Sequence, residues 1–597
     1  MGDLSQGIPP SAGPSAGRLD SWKEIASYLK RDVTTVQRWE KREGMPVHRH
    51  LHDRMGSVYA FSSELDAWVQ SRRLRLAAEE ERQAEAPSVA ESDHLSKWTA
   101  GTRPWLVFGG VALLVVLVVV TYFTIRRSER AAARPKITSL AVLPLKNLSG
   151  DPTQEYLADG MTEALIGHLS GIHDLRVISR TSAMHFKDTQ LSVPEIARIL
   201  RVDAIVEGSV MREGSRIRVH AQLIRAATDE HFWSEAYDRE LGDALTLESE
   251  IAQSIARKVE VTVTGEESKR LAAVHSVSPE VYQTYLKGEF AIDKSNTRAG
   301  IEESIGYFEE AIKRDASFAP SYVGLANAYT QLSTVFIGAS PQDSRPKVIR
   351  AARKALQLDS NLAKAHLLLA NVLQEQWQWD EAEGEYRRAL ELNPNDAVSQ
   401  NAFARWLLCQ GRTDEALAMA RAARDRDPLA ISGTGIGWIL FHARRYDEAD
   451  RELRSVVAVR PDDAMTLWFL GFVLIANHHP EEAIPVLEKV ASLSNRSPGT
   501  LGMLVRAYAH AGRRTDALRL LEELKRKQKT GYVPAGAFVN AYLGLGDKEQ
   551  AFAWMERAFQ EKSNILQFLS VHPHFDSLRD DPRFADLVHR VGLDHPR

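Results

Sequence analysis

Small residues recur at a fixed interval through the C-terminal half of the chain. That interval limits the fold more than any other feature of the 597 residues. Ala382, Ala416, Ala449, Ala483, Ala517 and Ala551 lie 34, 33, 34, 34 and 34 residues apart, each after a polar pair such as Asp414-Glu415 or Glu481-Glu482. Ala355, Ala389, Ala423, Val457 and Ala491 keep a second register of 34, and Pro394, Pro428 and Pro461 a third. A unit of this length holds two helices, which cannot bury their apolar faces alone and must stack on neighbours. The small positions let paired helices approach closely.

These landmarks resemble the tetratricopeptide repeat. In one unit, Leu369, Ala370 and Leu373 fall on the first helix, Ala382, Tyr386 and Ala389 on the second, and Pro394 ends it. The pattern predicts an all-α solenoid over 278–560, in seven or eight helix pairs from near Val281 to about Gln560. The second pair carries an insertion near 333–346, and 561–597 forms a terminal cap. Stacked repeats build a concave groove, the usual seat of a peptide or partner helix, so a protein or peptide partner is expected there. Gly433, Gly435 and Gly437 are placed on a first helix rather than in a nucleotide loop, since no strand precedes them. Cys409, the one cysteine, is read as a small core residue. It excludes a disulfide framework and a cysteine-based zinc site.

Residues 105–125, WLVFGGVALLVVLVVVTYFTI, contain no charge. As a helix they span roughly 30 Å, one bilayer core, with Trp105 and Tyr122 near the ends where amphipathic rings prefer the interface. The run starts too far into the chain for a signal peptide. A single transmembrane helix is predicted. Overall composition, 44% apolar and 26% charged, argues against wholesale disorder and against a polytopic membrane protein.

Before the span, 1–17 is rich in Gly, Pro and Ser and is read as disordered, and 77–104 as a polar linker. Between them, 18–76 carries 12 Lys plus Arg against 8 Asp plus Glu, a net of +4 in a chain of net charge −4. Ser21 opens a helix with Glu24 in capping-box spacing. Lys30-Arg31-Asp32 breaks it, and Thr34 is expected to cap a second helix, Thr35–Arg42, ending at Gly44. A hairpin follows around Arg54-Met55-Gly56, then a third helix, Ser63–Arg73, with Leu65, Trp68 and Val69 inward. This is a winged helix-turn-helix order. SWKEIASYLKRDVTTVQRWEKREGMPVHRH, above all Thr35-Val36-Gln37-Arg38-Trp39-Glu40, resembles MerR- and excisionase-like domains. The resemblance implies double-stranded DNA as partner, with Thr34, Thr35, Gln37, Arg38, Lys41 and Arg42 in the major groove and Arg49 and Arg54 in the wing. Trp39 is expected in the core. His48, His50 and His52 alternate along one strand, and are read as a basic wing face in preference to a metal site.

Residues 137–265 read as an α/β domain. Strands are expected at Ile137–Leu145, Leu175–Ser179 and His231–Ala236, with a hairpin of Ala204–Arg212 and Arg216–Ala226. Helices are expected at Thr153–Leu169, broken at Asp159-Gly160, and at Val193–Leu200 and Leu245–Val263. SLAVLPLKNLSGDPTQEYLADGMTEALIGHL, LRVISRTSA and DAIVEGSVMREGSRIRVHAQLI resemble the TolB N-terminal-like (FlgO-like) domain. No phosphate loop, nucleophile elbow or His-Glu-x-x-His occurs. Asp159, Glu163, His168 and His185 have no motif spacing that supports acid/base chemistry. No enzyme activity, cofactor or metal is expected.

The order of parts resembles bacterial transmembrane one-component regulators. The winged helix is then cytoplasmic, the span lies in the inner membrane, and the TolB-like and repeat regions sense on the far side. Helix-turn-helix proteins often bind half-sites as dimers. Arg126, Arg127, Arg130, Arg134 and Lys136 follow the span, against Lys97 and Arg103 before it. That bias favours the opposite topology, a membrane-tethered scaffold with a cytoplasmic C-terminal region.

Overall fold

A computed structural model describes residues 18–19, 21–43, 45–49, 58–70, 136–272, 277–294, 297–333, 340–429 and 435–594. The chain forms two units, divided after Arg127. The apolar run 105–125, the N-terminal 1–17 and the linker 77–104 lie outside the described residues. Among those described, no helix is long and apolar enough to cross a membrane.

The first unit is built on β1 (Arg18–Leu19), α1 (Trp22–Tyr28), α2 (Val33–Glu43), β2 (His48–Arg49), β3 (Val58–Phe61) and α3 (62–70). Ser21 caps α1, accepting from the Glu24 N–H at 3.2 Å. Lys30 turns the chain with a left-handed φ of 51°. The cap of α2 is not Thr34 but Asp32, whose carboxylate accepts from the Thr35 N–H at 2.8 Å and from the Thr34 and Thr35 hydroxyls at 2.6 and 2.7 Å. A carboxylate also answers the positive end of the helix dipole, which a hydroxyl cannot. The helix therefore starts two residues earlier than expected. The strands order as β1-β3-β2, antiparallel, with His48 opposite Tyr59. Ile25, Val36, Ala60, Leu65 and Trp68 are buried together. Val69 and Trp39 pack against them, and the Trp39 and Trp68 rings lie 5.6 Å apart.

The second unit opens with a small sheet domain: β4 (Ser139–Val142), β5 (Lys146–Asn147), α4 (Glu155–Ser170), β6 (Arg176–Val177), α5 (Arg180–Met184), α6 (Val193–Leu200), β7 (Ala204–Glu213), β8 (Arg216–Arg225), β9 (Glu230–Glu240), α7 (Ala244–Lys258) and α8 (Gly265–Ala272). Strand order is β6-β4-β7-β8-β9 with β5 beside β7. β6, β4 and β7 run parallel, and β7, β8 and β9 antiparallel. The two-residue alternation of strands sorts the core. Leu140, Val142, Ala204 and Val206 face α4 and α7, while Ala141, Leu143 and Ile205 face α6. Gly214 takes φ +61° in the tight β7–β8 turn, a conformation that costs glycine nothing.

Three expectations change here. The first strand divides into β4 and β5 on either side of Pro144, which has no N–H to pair. The helix over Asp159-Gly160 is unbroken. Gly160 is there for space, since a Cβ would lie 2.5 Å from Leu286 Cδ2. β9 runs to Glu240, longer than His231–Ala236, because ten registered pairs with β8 hold it.

Sixteen helices follow among the described residues, in eight consecutive pairs from Pro279–Lys294 to Lys548–Gln560. Ala355, Ala382, Ala389, Ala416, Ala423, Ala449, Ala483, Ala517 and Ala551 are all 0% exposed, as close helix packing requires. Val457 is partly buried. Cys409 is fully buried, and burial pushes its thiol up to about 12. Of the three glycines, Gly437 lies on a helix, Ile436–His442, which starts after Gly435; Gly433 lies outside the described residues.

The sheet domain docks on the repeats through loops between pairs. Asn395 Nδ2 donates to the carbonyls of His173 and Leu175 at 3.1 and 3.0 Å. Buried Asp427 accepts from the Ser179 N–H at 2.7 Å and from the Ser182 hydroxyl. Asp427→Ala leaves the buried Ser182 hydroxyl and the half-buried Ser179 N–H without this acceptor and is expected to cost about 3 kcal/mol. Hydrogen exchange should then rise at 172–186 and stay unchanged at 498–560.

Candidate functional site

The N-terminal end of α2 carries the candidate nucleic-acid interface. Helical spacing turns Val36 into the core, where it is fully buried. Thr34 and Arg38 remain exposed, and Thr35 and Gln37 half-buried. Those four stand together at the start of one helix, as groove readout requires. The Thr34 and Thr35 hydroxyls donate to Asp32, so their remaining lone pairs can accept. The same bonds hold the Asp32 carboxyl well below its usual range. Lys41 and Arg42 lie on α2 and Arg49 on β2, with side chains outside the described residues, as is the whole of Arg54. In the wing, His48 Nε2 meets Glu64 Oε2 at 2.7 Å and its ring stacks on Tyr59 at 5.2 Å. That contact ties the wing to α3. His50 and His52 lie outside the described residues.

The repeats offer a second candidate surface, and part of it is occupied. Residues 564–594 form two short 3-10 turns, Asn564–Phe568 and Pro573–Leu578, and a helix, Pro582–Val591. They do more than cover the last pair. They lie along the first helices of pairs three to six, which stand side by side as Ala363–Glu375, Ala397–Cys409, Ile436–His442 and Ala464–Ala476. Gln374 donates to Gln567 at 2.8 Å, and the Trp379 indole to the Val591 carbonyl at 2.9 Å. The Trp438 ring centre lies 5.7 Å from that of Phe568 and 5.6 Å from that of His572. His574 stacks on Phe472 at 5.0 Å. Arg345, in the second pair, donates to the Glu561 carbonyl and to Asn564 at 3.2 and 3.1 Å. The expected groove is thus filled in part by the chain itself.

The filled stretch is unusual in charge. His442, His572 and His574 are buried, with ring centres about 5 Å apart in sequence along the cluster. Burial holds all three neutral, pushing His442 down to about 3 and the other two well below their ordinary value. Arg506, 7% exposed, has no acceptor for Nε or Nη1 among the described residues. Burial lowers it to about 9. Sequence reading missed this cluster because His442, Arg506 and the pair His572 and His574 lie more than 60 residues apart, with no shared motif.

Of Asp159, Glu163, His168 and His185, the two carboxylates are held in ion pairs. Asp159 pairs with Lys187 at 2.7 Å, and Glu163 with Lys364 at 3.3 Å. Among the described residues no set of His, Cys, Asp and Glu could hold a metal ion.

Comparison with known proteins separates the regions. Residues 136–255 match the family described as HilA/YgeH-like transcriptional regulator, second domain. Residues 363–396 and 474–533 match tetratricopeptide repeats. A protein of Rhizobium meliloti named putative adenylate cyclase 3 is 34% identical over 250 residues, 42% of each chain. Superkiller complex protein 3 of the mouse is 24% identical over 279 residues, 43% of this chain and 17% of that one. The chain thus spans less than half the length of either relative. Human IFIT1, solved as a dimer with m7Gppp-AAAA, aligns with a TM-score of 0.38 and 15% identity, over 58% of this chain and 79% of that one. The chain therefore combines a region similar to the second domain of HilA/YgeH-like regulators with a tetratricopeptide array.

Proposed function

We propose that this chain is a membrane-anchored, DNA-binding transcriptional regulator whose sheet domain and repeats form a sensing and protein-interaction region. The observation that carries the reading is the outward end of α2. Thr34, Thr35, Gln37 and Arg38 are presented together beside a small wing, while Val36 and Trp39 face the core. The similarity of 136–255 to a regulator domain supports the same direction. In this reading 105–125 crosses the inner membrane, the N-terminal unit is cytoplasmic and binds half-sites as a dimer, and the sheet domain is also TolB-like. The protein or peptide partner meets the repeat surface that 564–594 leaves uncovered. The chain has no reaction of its own.

Arg38→Ala with Gln37→Ala tests the DNA role. Loss of one good bidentate base contact removes about 1–3 kcal/mol of discrimination. Affinity of the full-length chain for a selected duplex should fall roughly tenfold or more, with little change for unrelated DNA, measured by fluorescence anisotropy at fixed salt. Equal losses on both duplexes would reduce Arg38 to a phosphate contact.

One observation favours a second reading, the membrane-tethered scaffold. Five Lys and Arg follow 105–125 within a short stretch and two precede it, which by the positive-inside rule places the C-terminal region in the cytoplasm. Reporter fusions at Arg103 and Lys136 separate the two. A C-terminal reporter active only in the cytoplasm selects the scaffold.

A further inference from the structure

Where the sheet domain meets the first repeats, the chain encloses a cavity of about 760 Å³. That volume lies in the range of pockets that hold small molecules, and junctions between domains are where such pockets concentrate. One wall is α4 with its capping residue Gly171, which turn Gly160, Ala164, Gly167 and Gly171 to the cavity. Their spacings of four, three and four put them on one helix face. Large side chains there would close the junction. At Gly167 an added Cβ would meet nothing within 4 Å. Apolar and aromatic lining comes from Leu286, which packs on Gly160, and from Phe318 in the loop after the first pair.

Lys269, Arg270, Glu267 and Asp359 also line the cavity, but beside Glu289 the charge does not balance. Glu163 and Glu289 both reach Lys364, at 3.3 and 3.4 Å, so one ammonium serves two carboxylates. Behind them Asp293 pairs with Arg180 at 2.7 Å. Three carboxylates therefore share two cations, and Glu289 is only 5% exposed. Burial and the nearby carboxylates push Glu289 up to about 7, although Lys364 pulls the other way. Deeper in, Glu248 accepts from the Tyr282 hydroxyl and is pushed by burial up to about 8. Tyr285 lines the same space. Its ring is held edge-on to Phe318 at 5.4 Å. Beside Glu289 an anionic ligand would add to the local excess of carboxylates, whereas a cation relieves it.

We propose that this cavity binds an organic ammonium compound, with its nitrogen on Glu289 and Glu163 and its apolar part against Leu286, Phe318 and the bare face of α4. Because the walls come from both the sheet domain and the repeats, the ligand bridges the two. This extends the sensing part of the proposed function, but the binding itself does not depend on DNA.

The test uses the full-length chain in detergent micelles and isothermal titration. The probes are a panel of primary and quaternary arylalkylamines with phenethylamine as parent. N-acetylphenethylamine and phenylpropionate serve as neutral and anionic controls of matched size. Amines should bind at least roughly tenfold more tightly than either control, and Glu289→Gln should weaken them by a similar factor. Gly167→Leu should abolish binding while the melting temperature holds, and it decides the matter if the Glu289 variant fails to fold. Equal binding of phenylpropionate, no binding by any amine, or wild-type affinity in the folded variants would overturn the assignment. DNA affinity measured on the same preparation distinguishes this failure from failure of the regulator reading.

Discussion

Trp438→Ala is expected to cost about 3–5 kcal/mol, the range for removing a large buried aromatic side chain, and to free the C-terminal segment from the repeats. Trp438 is 5% exposed and is the hub of the filled groove. Its ring centre lies 4.2 Å from Phe469, 5.2 Å from Phe441 and 5.5 Å from Phe472 on the repeat side. It also touches Phe568 and His572 of the C-terminal segment. One truncation therefore opens a cavity and removes the surface on which residues 564–594 rest. Limited proteolysis should cut this segment in the variant and spare it in the wild type. Tyr446→Phe, which touches the same cluster from its edge, should leave the pattern unchanged. A Trp438→Ala chain whose C-terminal segment stays protected would show that the segment is held from the end of the array.

Acidification is expected to act in opposite directions at the two ends of the second unit. His442, His572 and His574 are held neutral in the folded chain, first by burial, and for His572 and His574 also by the positive charge of Arg506. Unfolded, each titrates near 6.5. Between the folded and unfolded values the unfolded chain binds more protons, so stability rises with pH and is lost as pH falls below about 6.5. At about 1.4 kcal/mol per pH unit, His442 alone costs roughly 2 kcal/mol near pH 5, and His572 and His574 act in the same direction. Glu248 and Glu289 have the opposite sign. Their folded values, about 8 and about 7, exceed the ordinary carboxylate value of 4.5. The folded chain then holds more protons between those limits, and stability falls as pH rises through them. Global melting will show the two effects largely offset. Hydrogen exchange corrected for its intrinsic pH dependence should separate them. From about pH 7.5 to about pH 5, protection should fall in 564–594 and rise in 279–294. His574→Phe should blunt the first change and leave the second. A uniform change across both segments would contradict the assignment.

These two predictions rest on features with very different visibility in the sequence. The alanine register is local and periodic, and each of its buried members is legible from spacing alone. The β7–β8 hairpin was equally plain, because period-two alternation on both sides of Glu213-Gly214 leaves one register that buries Ile217, Val219 and Ala221 together. The cap of α2 was misplaced by two residues because Asp32, Thr34 and Thr35 are all good capping types, and only the backbone geometry chooses among them. The docking of 564–594 was not legible. A short amphipathic helix such as Pro582–Val591 shows that it buries Phe584, Leu587 and Val591, but not which of several apolar surfaces receives them. The same holds for the junction cavity, where Gly167, Glu289 and Lys364 are at least 75 residues apart from one another and meet only through packing. Of the candidate DNA contacts, Thr34, Thr35, Gln37 and Arg38 stand on one helix end, while the wing residues lie outside or at the edge of the described residues.

The most direct measurement is selection of genomic fragments by the full-length chain at a fixed salt concentration near physiological. A regulator whose α2 reads the major groove enriches the same fragments in independent rounds, and Arg38→Ala with Gln37→Ala loses the enrichment while retaining weak, salt-sensitive binding to any duplex. Recovery of no common fragment by the wild type would contradict the DNA-binding role, and recovery of the same fragments by the variant would contradict readout through α2.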